Sequence, residues 1–253
     1  MPLSAFIVFL AWPAWALRLV TTSPQTTEMV FEMGLGSSVV GVSEASAYPP
    51  EAAALPNVGR LFTPNVEKTV LLRPDLVVLD SHNLNPPYAH SLEALGIPTF
   101  LWDTHSPESL LDSAEKFAAR TGAKSRAVEN LRPHLQRCPP RDDRFLLFVW
   151  MDPPILSGER AFLSQLLTGR GFSPISLGHT YGDYVTVSEE WLLQQQPNTV
   201  FFLQHQSENR ERILQRFQHW WPRHRIRFRA LDAENHARAA FSTLRQFPPE
   251  CKP

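Results

Sequence analysis

Short apolar runs alternate with amphipathic stretches along the first part of the chain, which is the pattern of strand and helix units on a parallel sheet. The apolar runs predict strands at residues 18–22, 37–43, 75–80 and 97–102. The amphipathic stretches between them predict helices at residues 26–34, 66–72 and 91–95. We therefore expect residues 17–104 to form an N-terminal α/β lobe.

A helix-rich region without strand patterns follows this lobe. A serine cap followed by proline and glutamate predicts a helix over residues 106–120. A second helix is predicted over residues 123–137, and Pro133 should kink it because proline lacks the backbone N–H. Residues 105–142 are therefore predicted to form a helical connector.

The alternating pattern then restarts and predicts a C-terminal α/β lobe over residues 143–253. Strands are predicted at residues 145–151, 199–203 and 225–231. Helices are predicted at residues 160–168, 188–195, 209–220 and 234–246. The predicted fold class is α/β, with two Rossmann-like lobes that have parallel-type sheets, a helical connector joining them, and a ligand cleft between them.

The first sixteen residues, MPLSAFIVFLAWPAWA, have the pattern of an export signal. An apolar run at residues 5–12 precedes a small-x-small pattern at residues 14–16, which predicts cleavage before Leu17. No Lys or Arg precedes the apolar run, so a mis-assigned start or a buried first strand are the alternatives. The run is shorter than the roughly 20 apolar residues of a bilayer span, and we expect no membrane insertion of the mature chain.

Cys138 and Cys251 are the only cysteines. Neither follows the apolar leader where a lipid anchor would need one, so the exported chain is not predicted to be a lipoprotein. In an oxidising compartment the two could pair and tie the end of the connector to the C-terminal tail. Two free thiols are the alternative.

Charge and motifs narrow the classes of function. The chain has 24 basic and 25 acidic residues and no basic block that would follow a phosphate backbone, so nucleic acid is not expected as a partner. No Gly-rich phosphate loop, G-x-S-x-G elbow or Cys-x-x-Cys pair occurs, and we predict that the chain is not an enzyme; an α/β enzyme stays an alternative. Loop histidines such as His82, His90 and His105 leave a metal-ion receptor as another alternative, without the spacing of a metal site.

Four segments occur in an order that resembles a known family. They are RLVTTSPQTTEMVFEMGLGSSVVGVSEASAYPP (18–50), NVEKTVLLRPDLVVLD (65–80), DPPILSGERAFLSQLL (152–167) and VSEEWLLQQQPNTVFF (187–202). Together they are similar to the periplasmic binding proteins for cobalamin, haem and iron siderophores, whose lobes are held by a single long helix. The resemblance spans nearly the whole mature chain.

This resemblance implies a monomeric periplasmic receptor that delivers cobalamin, or a related corrinoid, to the permease dimer of an ABC importer. Cobalamin would be the transported ligand, and no catalytic residue or catalytic cofactor is expected. A receptor for haem or a ferric siderophore is the alternative within the same fold.

Candidate ligand contacts lie in the loops that follow the predicted strands, where open α/β sheets bind their ligands. They are Tyr48, Leu61, Phe62, His82, Trp150, Tyr184 and Asp232. Aromatic faces suit a flat macrocycle, and the resemblance implies aromatic contacts at Tyr48 and Tyr184 and a polar contact at Asp232. A tryptophan that the family has near Leu61 is absent, with Phe62 beside it. His82 could contact the metal of a chelate or be a solvated loop residue, and Trp150 could be a core residue.

Two carboxylates, Glu67 and Glu190, occupy equivalent places in the two lobes, each near the start of a helix that leads into a strand. By resemblance they are the docking residues that pair with arginines of the permease dimer. The helix dipole stabilises an acidic side chain in the first turn, and complementary charge steers a transient partner. Stabilisation of the helix alone is the alternative interpretation.

Overall fold

The structure is a computed structural model that describes residues 17–124, 126–177, 183–205, 209–222, 225–233, 239–247 and 251. The predicted export signal, residues 1–16, lies outside these ranges, as does the predicted start of the last helix at residues 234–238. Among the described residues no helix has the length and apolar character to cross a membrane.

The first lobe is built around a parallel sheet. Its elements in chain order are β1 (Leu19–Thr21), α1 (Pro24–Val30), β2 (Val39–Val42), β3 (Gly59–Arg60), β4 (Thr63–Pro64), α2 (Val66–Leu71), β5 (Leu76–Asp80), α3 (Pro86–Ala94) and β6 (Thr99–Trp102). The sheet has the strand order β2-β1-β5-β6, and every pairing in it is parallel. Strands β1 and β5 are central and buried along their length, which explains their uninterrupted apolar sequences.

The connector and the second lobe follow. Their elements are α4 (Pro107–Thr121), α5 (Arg126–Leu131), β7 (Arg144–Met151), β8 (Pro154–Ser157), α6 (Phe162–Gly169), β9 (Ser173–Pro174), β10 (Tyr184–Thr186), α7 (Glu189–Gln194), β11 (Thr199–Gln204), α8 (Arg210–Trp220), β12 (Arg227–Asp232) and α9 (Phe241–Gln246). The second sheet has the order β10-β8-β7-β11-β12, with β9 beside β7.

The second sheet differs from the expected parallel type at one edge. Strands β7, β11 and β12 are parallel, as predicted. Strand β8 turns back after two residues to pair antiparallel with β7, and β10 pairs antiparallel with β8. Such a tight turn joins only antiparallel neighbours, so this edge could not have been parallel. The two-lobed α/β fold class is confirmed, with a mixed second sheet.

Several predicted helices have different bounds in the structure. The last one, predicted over 234–246, begins at Phe241, because Ala240 before it is extended. Helix α3 begins at Pro86 rather than at residue 91, because the Asn85 side chain caps it and accepts from Tyr88 N at 2.9 Å. Proline is tolerated in a first turn, where its missing N–H has no partner to lose. The predicted second connector helix over 123–137 was wrong in length: α5 ends at Leu131, and a 3₁₀ turn over Arg132–Leu135 contains Pro133.

The two sheets share one apolar core, which we call the base of the cleft between the lobes. Leu19 of the first sheet and Phe201 of the second belong to the same buried cluster, together with Phe117 of α4. Helix α9 lies against the first lobe, because the Phe241 ring is 6.3 Å from the Trp102 ring. This continuous packing holds the two lobes together on the connector side.

The C-terminal tail is fastened beside the connector. Cys138 and Cys251 are joined by a disulfide. Arg170, of which only 6% is exposed, donates to the carbonyl oxygens of His134 and Gln136 and to that of Phe247. Burial lowers the pKa of Arg170, and these carbonyl oxygens satisfy its donors.

Candidate ligand-binding site

A cavity of about 540 Å³ lies between the lobes and adjoins the shared core, because Phe162, Leu163 and Ala239 belong to both. This volume is within the range of roughly 300–1,000 Å³ that is typical of small-molecule sites. Both lobes contribute to its walls. The described residues that line it are Gln25, Phe62, His82, Asn83, Val149, Ser157, Ala161, Phe162, Leu163, Asp183, Tyr184, Leu203 and Ala239.

Phe62 enters the cavity from the tip of the β3–β4 hairpin. Its side chain is 65% exposed, which is unusual for a large aromatic ring. Gly59 makes the hairpin possible: it has φ of 122°, and a Cβ there would lie 2.8 Å from Asn65 N. Asn85 Nδ2 donates to Phe62 O at 2.9 Å and ties the tip to the start of α3. The backbone that carries the Phe62 ring is therefore fixed to the rest of the first lobe.

Tyr184 enters from the other lobe as the first residue of β10, in register with Ser157 of β8. Desolvation, and then the negative charge of Asp183, raises the pKa of Tyr184 even though 57% of the residue is exposed. The phenol is therefore a neutral hydrogen-bond donor at neutral pH. Exposed aromatic side chains thus face the same cavity from opposite lobes.

A polar contact crosses the cleft beside these rings. His82 Nε2 of the first lobe lies 3.2 Å from Asp183 Oδ2 of the second. Asp80, which is 1% exposed, organises the loop: its carboxylate accepts from His82 N at 3.0 Å and from Thr104 Oγ1 at 2.8 Å. Thr104 Oγ1 is in turn 2.8 Å from His82 Nδ1. The orientation of the imidazole is therefore set by a buried carboxylate.

A second polar contact crosses the cleft next to the first. The His105 ring stacks on the His82 ring at 4.6 Å, and Gln165 Nε2 of α6 donates to His105 O at 2.8 Å. Burial opposes ionisation of Asp103, but hydrogen bonds from His105 and Ser109 outweigh it and hold the pKa of that carboxyl below its usual value. The Asp103 carboxylate at this edge of the cleft is thus held by hydrogen bonds.

The other sequence-predicted contacts are not among the described residues that line the cavity. Tyr48 is exposed after β2, and Leu61 is next to Phe62 in the hairpin. Trp150 is 47% exposed; its indole N–H donates to Asp152 O at 2.8 Å, while the preceding Val149 lines the cavity. Asp232 ends β12. Ligand contact by these residues stays a prediction.

Several lining residues had no strong signal in the sequence. Gln25 is in the first turn of α1, and Ser157 ends the unpredicted strand β8. Asp183 precedes another unpredicted strand, β10, and only its neighbour Tyr184 pointed to the segment. Asn83, next to His82, could have been found from its place after a buried strand. Among the described residues no group of three or more His, Cys, Asp or Glu side chains is arranged to hold a metal ion.

The two carboxylates expected at the docking surface lie in matching places. Glu67 is in the first turn of α2, capped by Asn65, and Glu190 is in the first turn of α7, capped by Ser188. Both are exposed. Hydrogen bonds from its own backbone N–H and from the Ser188 hydroxyl lower the pKa of Glu190, so this carboxylate is ionised at neutral pH. Their docking role stays a prediction.

Two α/β lobes, a helical connector and an interlobe cavity define a two-lobed ligand-binding protein. Residues 19–220 match the family described as periplasmic binding protein. The chain belongs to this family, which confirms the resemblance seen in the sequence.

Relatives and solved structures agree with this assignment. The vitamin B12-binding protein of Vibrio cholerae serotype O1 is 28% identical over 208 residues, covering 79% of this chain and 75% of the relative. That of Salmonella typhimurium is 28% identical over 204 residues, covering 76% of each. The periplasmic vitamin B12-binding protein of Vibrio cholerae has the same fold, with a TM-score of 0.73, 24% identity, and coverage of 92% of this chain and 94% of that one. The periplasmic haem-binding protein of the same organism has a TM-score of 0.74, 18% identity, and coverage of 91% and 96%.

Proposed function

We propose that this chain is a periplasmic substrate-binding protein that captures cobalamin, or a related corrinoid, and delivers it to an ABC importer without catalysing a reaction. The observation that carries the proposal is the interlobe cavity, which exposed aromatic rings enter from opposite lobes at Phe62 and Tyr184. Flat faces of this kind bury a macrocycle at low cost in side-chain entropy. Relatives named as vitamin B12-binding proteins support the choice of ligand.

A corrinoid with its side chains is larger than the cavity, so parts of it would extend beyond the lining residues. We assign further contacts to Tyr48, Leu61, Trp150 and Asp232. His82 would contact the ligand from the polar wall. The mature chain acts as a monomer in the periplasm, and the predicted leader and the bonded cysteines fit that compartment.

The permease contact is assigned to Glu67 and Glu190. They are exposed carboxylates in equivalent helices of the two lobes, which suits a partner made of two similar subunits with basic surfaces. Their charge would steer and orient the encounter with the permease, and it would contribute less to the affinity of the complex.

Calorimetric titration with cobalamin, haemin and two ferric siderophores tests the ligand. We expect saturable binding of cobalamin at one molecule per chain, with the recovered cobalamin chemically unchanged. Tight binding of haemin or a siderophore, with no cobalamin binding, would instead establish the alternative receptor. Conversion of the bound ligand into a product would show an enzyme.

The haem alternative has an observation of its own. The haem-binding protein of Vibrio cholerae is as similar in fold as the vitamin B12-binding protein of that organism, with TM-scores of 0.74 and 0.73. Fold similarity therefore does not choose between the two ligands, and the choice rests on side chains in the cleft.

A further inference from the structure

The contact between His82 and Asp183 lies where the ligand would bind. Both side chains line the interlobe cavity, and they come from opposite lobes: His82 follows β5, and Asp183 precedes β10. They are 20% and 29% exposed, so they are shielded from bulk water without being closed off from it. Electrostatic and hydrogen-bonding preferences are stronger at such a site than on an open surface.

The pair presents a ring nitrogen and a carboxylate side by side. The Thr104 hydroxyl donates its only proton to Asp80, so Thr104 Oγ1 accepts from His82 Nδ1–H. Nε2 is then the ring nitrogen that faces the cavity, 3.2 Å from Asp183 Oδ2, and it donates to that carboxylate when the ring carries a proton on both nitrogens. The Asp183 carboxylate can only accept, because an ionised carboxylate has no proton to give.

A primary carboxamide is the complement of this arrangement. When Nε2 carries a proton, the amide carbonyl oxygen can accept from it while an amide N–H donates to Asp183. When only Nδ1 carries a proton, the two amide N–H groups can donate to Nε2 and to Asp183. A carboxylate group offers only acceptors: it would meet Asp183 as one acceptor and one negative charge against another. A site built to hydrogen-bond one group discriminates strongly against an analogue that leaves its own groups unpaired.

We propose that His82 and Asp183 form a carboxamide-recognition site that makes the cleft select chelates with amide side chains over chelates with carboxylate side chains. The corrin ring carries carboxamide side chains, whereas haem carries two carboxylates. This inference rests on the proposed function, and it assigns to these residues the choice between ligands that the fold leaves open.

The test uses cobalamin and its monocarboxylic acids, in which one side-chain carboxamide is hydrolysed to a carboxylate. We expect the wild-type protein to bind cobalamin and to bind at least one of these acids about tenfold more weakly. In Asp183→Asn the amide can donate to a carboxylate, so the difference for that acid should fall to about threefold or less. His82→Ala should weaken binding of cobalamin, with the visible spectrum of the bound ligand unchanged.

Asp112→Asn is the matched control, because Asp112 is exposed on α4 and the substitution makes the same change in charge. This control should keep the full discrimination, and thermal melting shows whether each variant is folded. Equal affinity of the wild type for cobalamin and all its acids, or an unchanged preference in Asp183→Asn, would overturn the inference. A shift in the cobalt spectrum on His82→Ala would overturn it too, since His82 would then bind the metal. Failure of the wild type to bind cobalamin at all is a separate result, which refutes the proposed function.

Discussion

The base and the mouth of the cleft are built from the same two lobes, but different side chains fill the space between them. At the base, rings such as Phe117 and Phe241 are fully buried in one core that includes both sheets. At the mouth, Phe62 and Tyr184 are exposed around a cavity, and polar contacts cross it. Close-packed apolar surfaces deform little, so the base sets the spacing that the mouth presents to a ligand.

This difference indicates that ligand recognition depends on a distance between the lobes that the packed base sets before a ligand binds. A ligand that fits the gap does not need to drive a large closure, so little of its binding energy is used to move the lobes. The cross-cleft contacts of His82 and Gln165 are few and local, and they can adjust to a ligand while the base stays fixed.

The largest effect should come from a cavity made in the base. Phe241→Ala removes a buried ring beside Trp102, and we expect the free energy of unfolding to fall by about 3–5 kcal/mol. Denaturant titration measures it. Leu71→Ala is the control, because Leu71 is 79% exposed and its truncation should change stability by less than about 0.5 kcal/mol. Equal effects of the two substitutions would mean that the base is not a packed core.

Charge reversal at the two predicted docking residues tests whether the fixed distance between the lobes is used in binding the permease. In the double variant Glu67→Arg with Glu190→Arg, uptake by cells should fall at least about tenfold, while ligand affinity stays within about twofold. The lowered pKa of Glu190 means that its charge, and the docking that depends on it, persists to lower pH than for an ordinary carboxylate.

The matched control for this prediction reverses other exposed carboxylates. Glu211 is in the first turn of α8, and Glu93 is in α3. The variant Glu211→Arg with Glu93→Arg has the same change in net charge and should transport normally. Normal uptake by the Glu67 and Glu190 variant would remove their docking role.

The aromatic rings at the mouth should matter for ligand and not for stability. Phe62→Ala and Tyr184→Ala should each weaken cobalamin binding by about tenfold or more, because each removes an aromatic face from the cavity. Their free energy of unfolding should change by less than about 0.5 kcal/mol. Leu95→Ala, at a residue that is 58% exposed and outside the cavity lining, should leave affinity unchanged. If Phe62→Ala or Tyr184→Ala lowered the free energy of unfolding but left cobalamin affinity unchanged, the separation of ligand binding at the mouth from stability at the base would be contradicted.

The smallest expected effect is the change in overall shape. With a packed base, the radius of gyration from X-ray scattering should differ by less than about 1 Å between the ligand-free and ligand-bound protein. A clear compaction on binding would show that the base acts as a hinge.

Buried apolar segments were the most predictable part of the fold. Strands β5 and β7 were predicted to within a residue, because a strand buried on both faces is an uninterrupted apolar run. Strands β8 and β10 were missed, because a strand of three or four residues has too little apolar pattern to be recognised. Helix α3 began earlier than predicted, since its paired prolines resemble a loop.

The site was predictable only where it follows those strands. His82 lies in the loop that follows β5, so a rule about strand ends selects it. Asp183 comes before an edge strand that the sequence did not reveal, and its partner across the cleft is about a hundred residues earlier in the chain. Contacts of that kind depend on how the lobes are placed, which no local pattern encodes.

The path of the C-terminal helix makes the protein suitable for division into two fragments. Helix α9 belongs to the later part of the chain but packs against the first lobe, where Arg245 pairs with Glu32 and Phe241 faces Trp102. A cut at the glycine that ends α4 would therefore separate two pieces that still share one apolar core. We expect two such fragments, when co-expressed, to assemble without a linker. Assembly would restore the cleft, so ligand binding would report it.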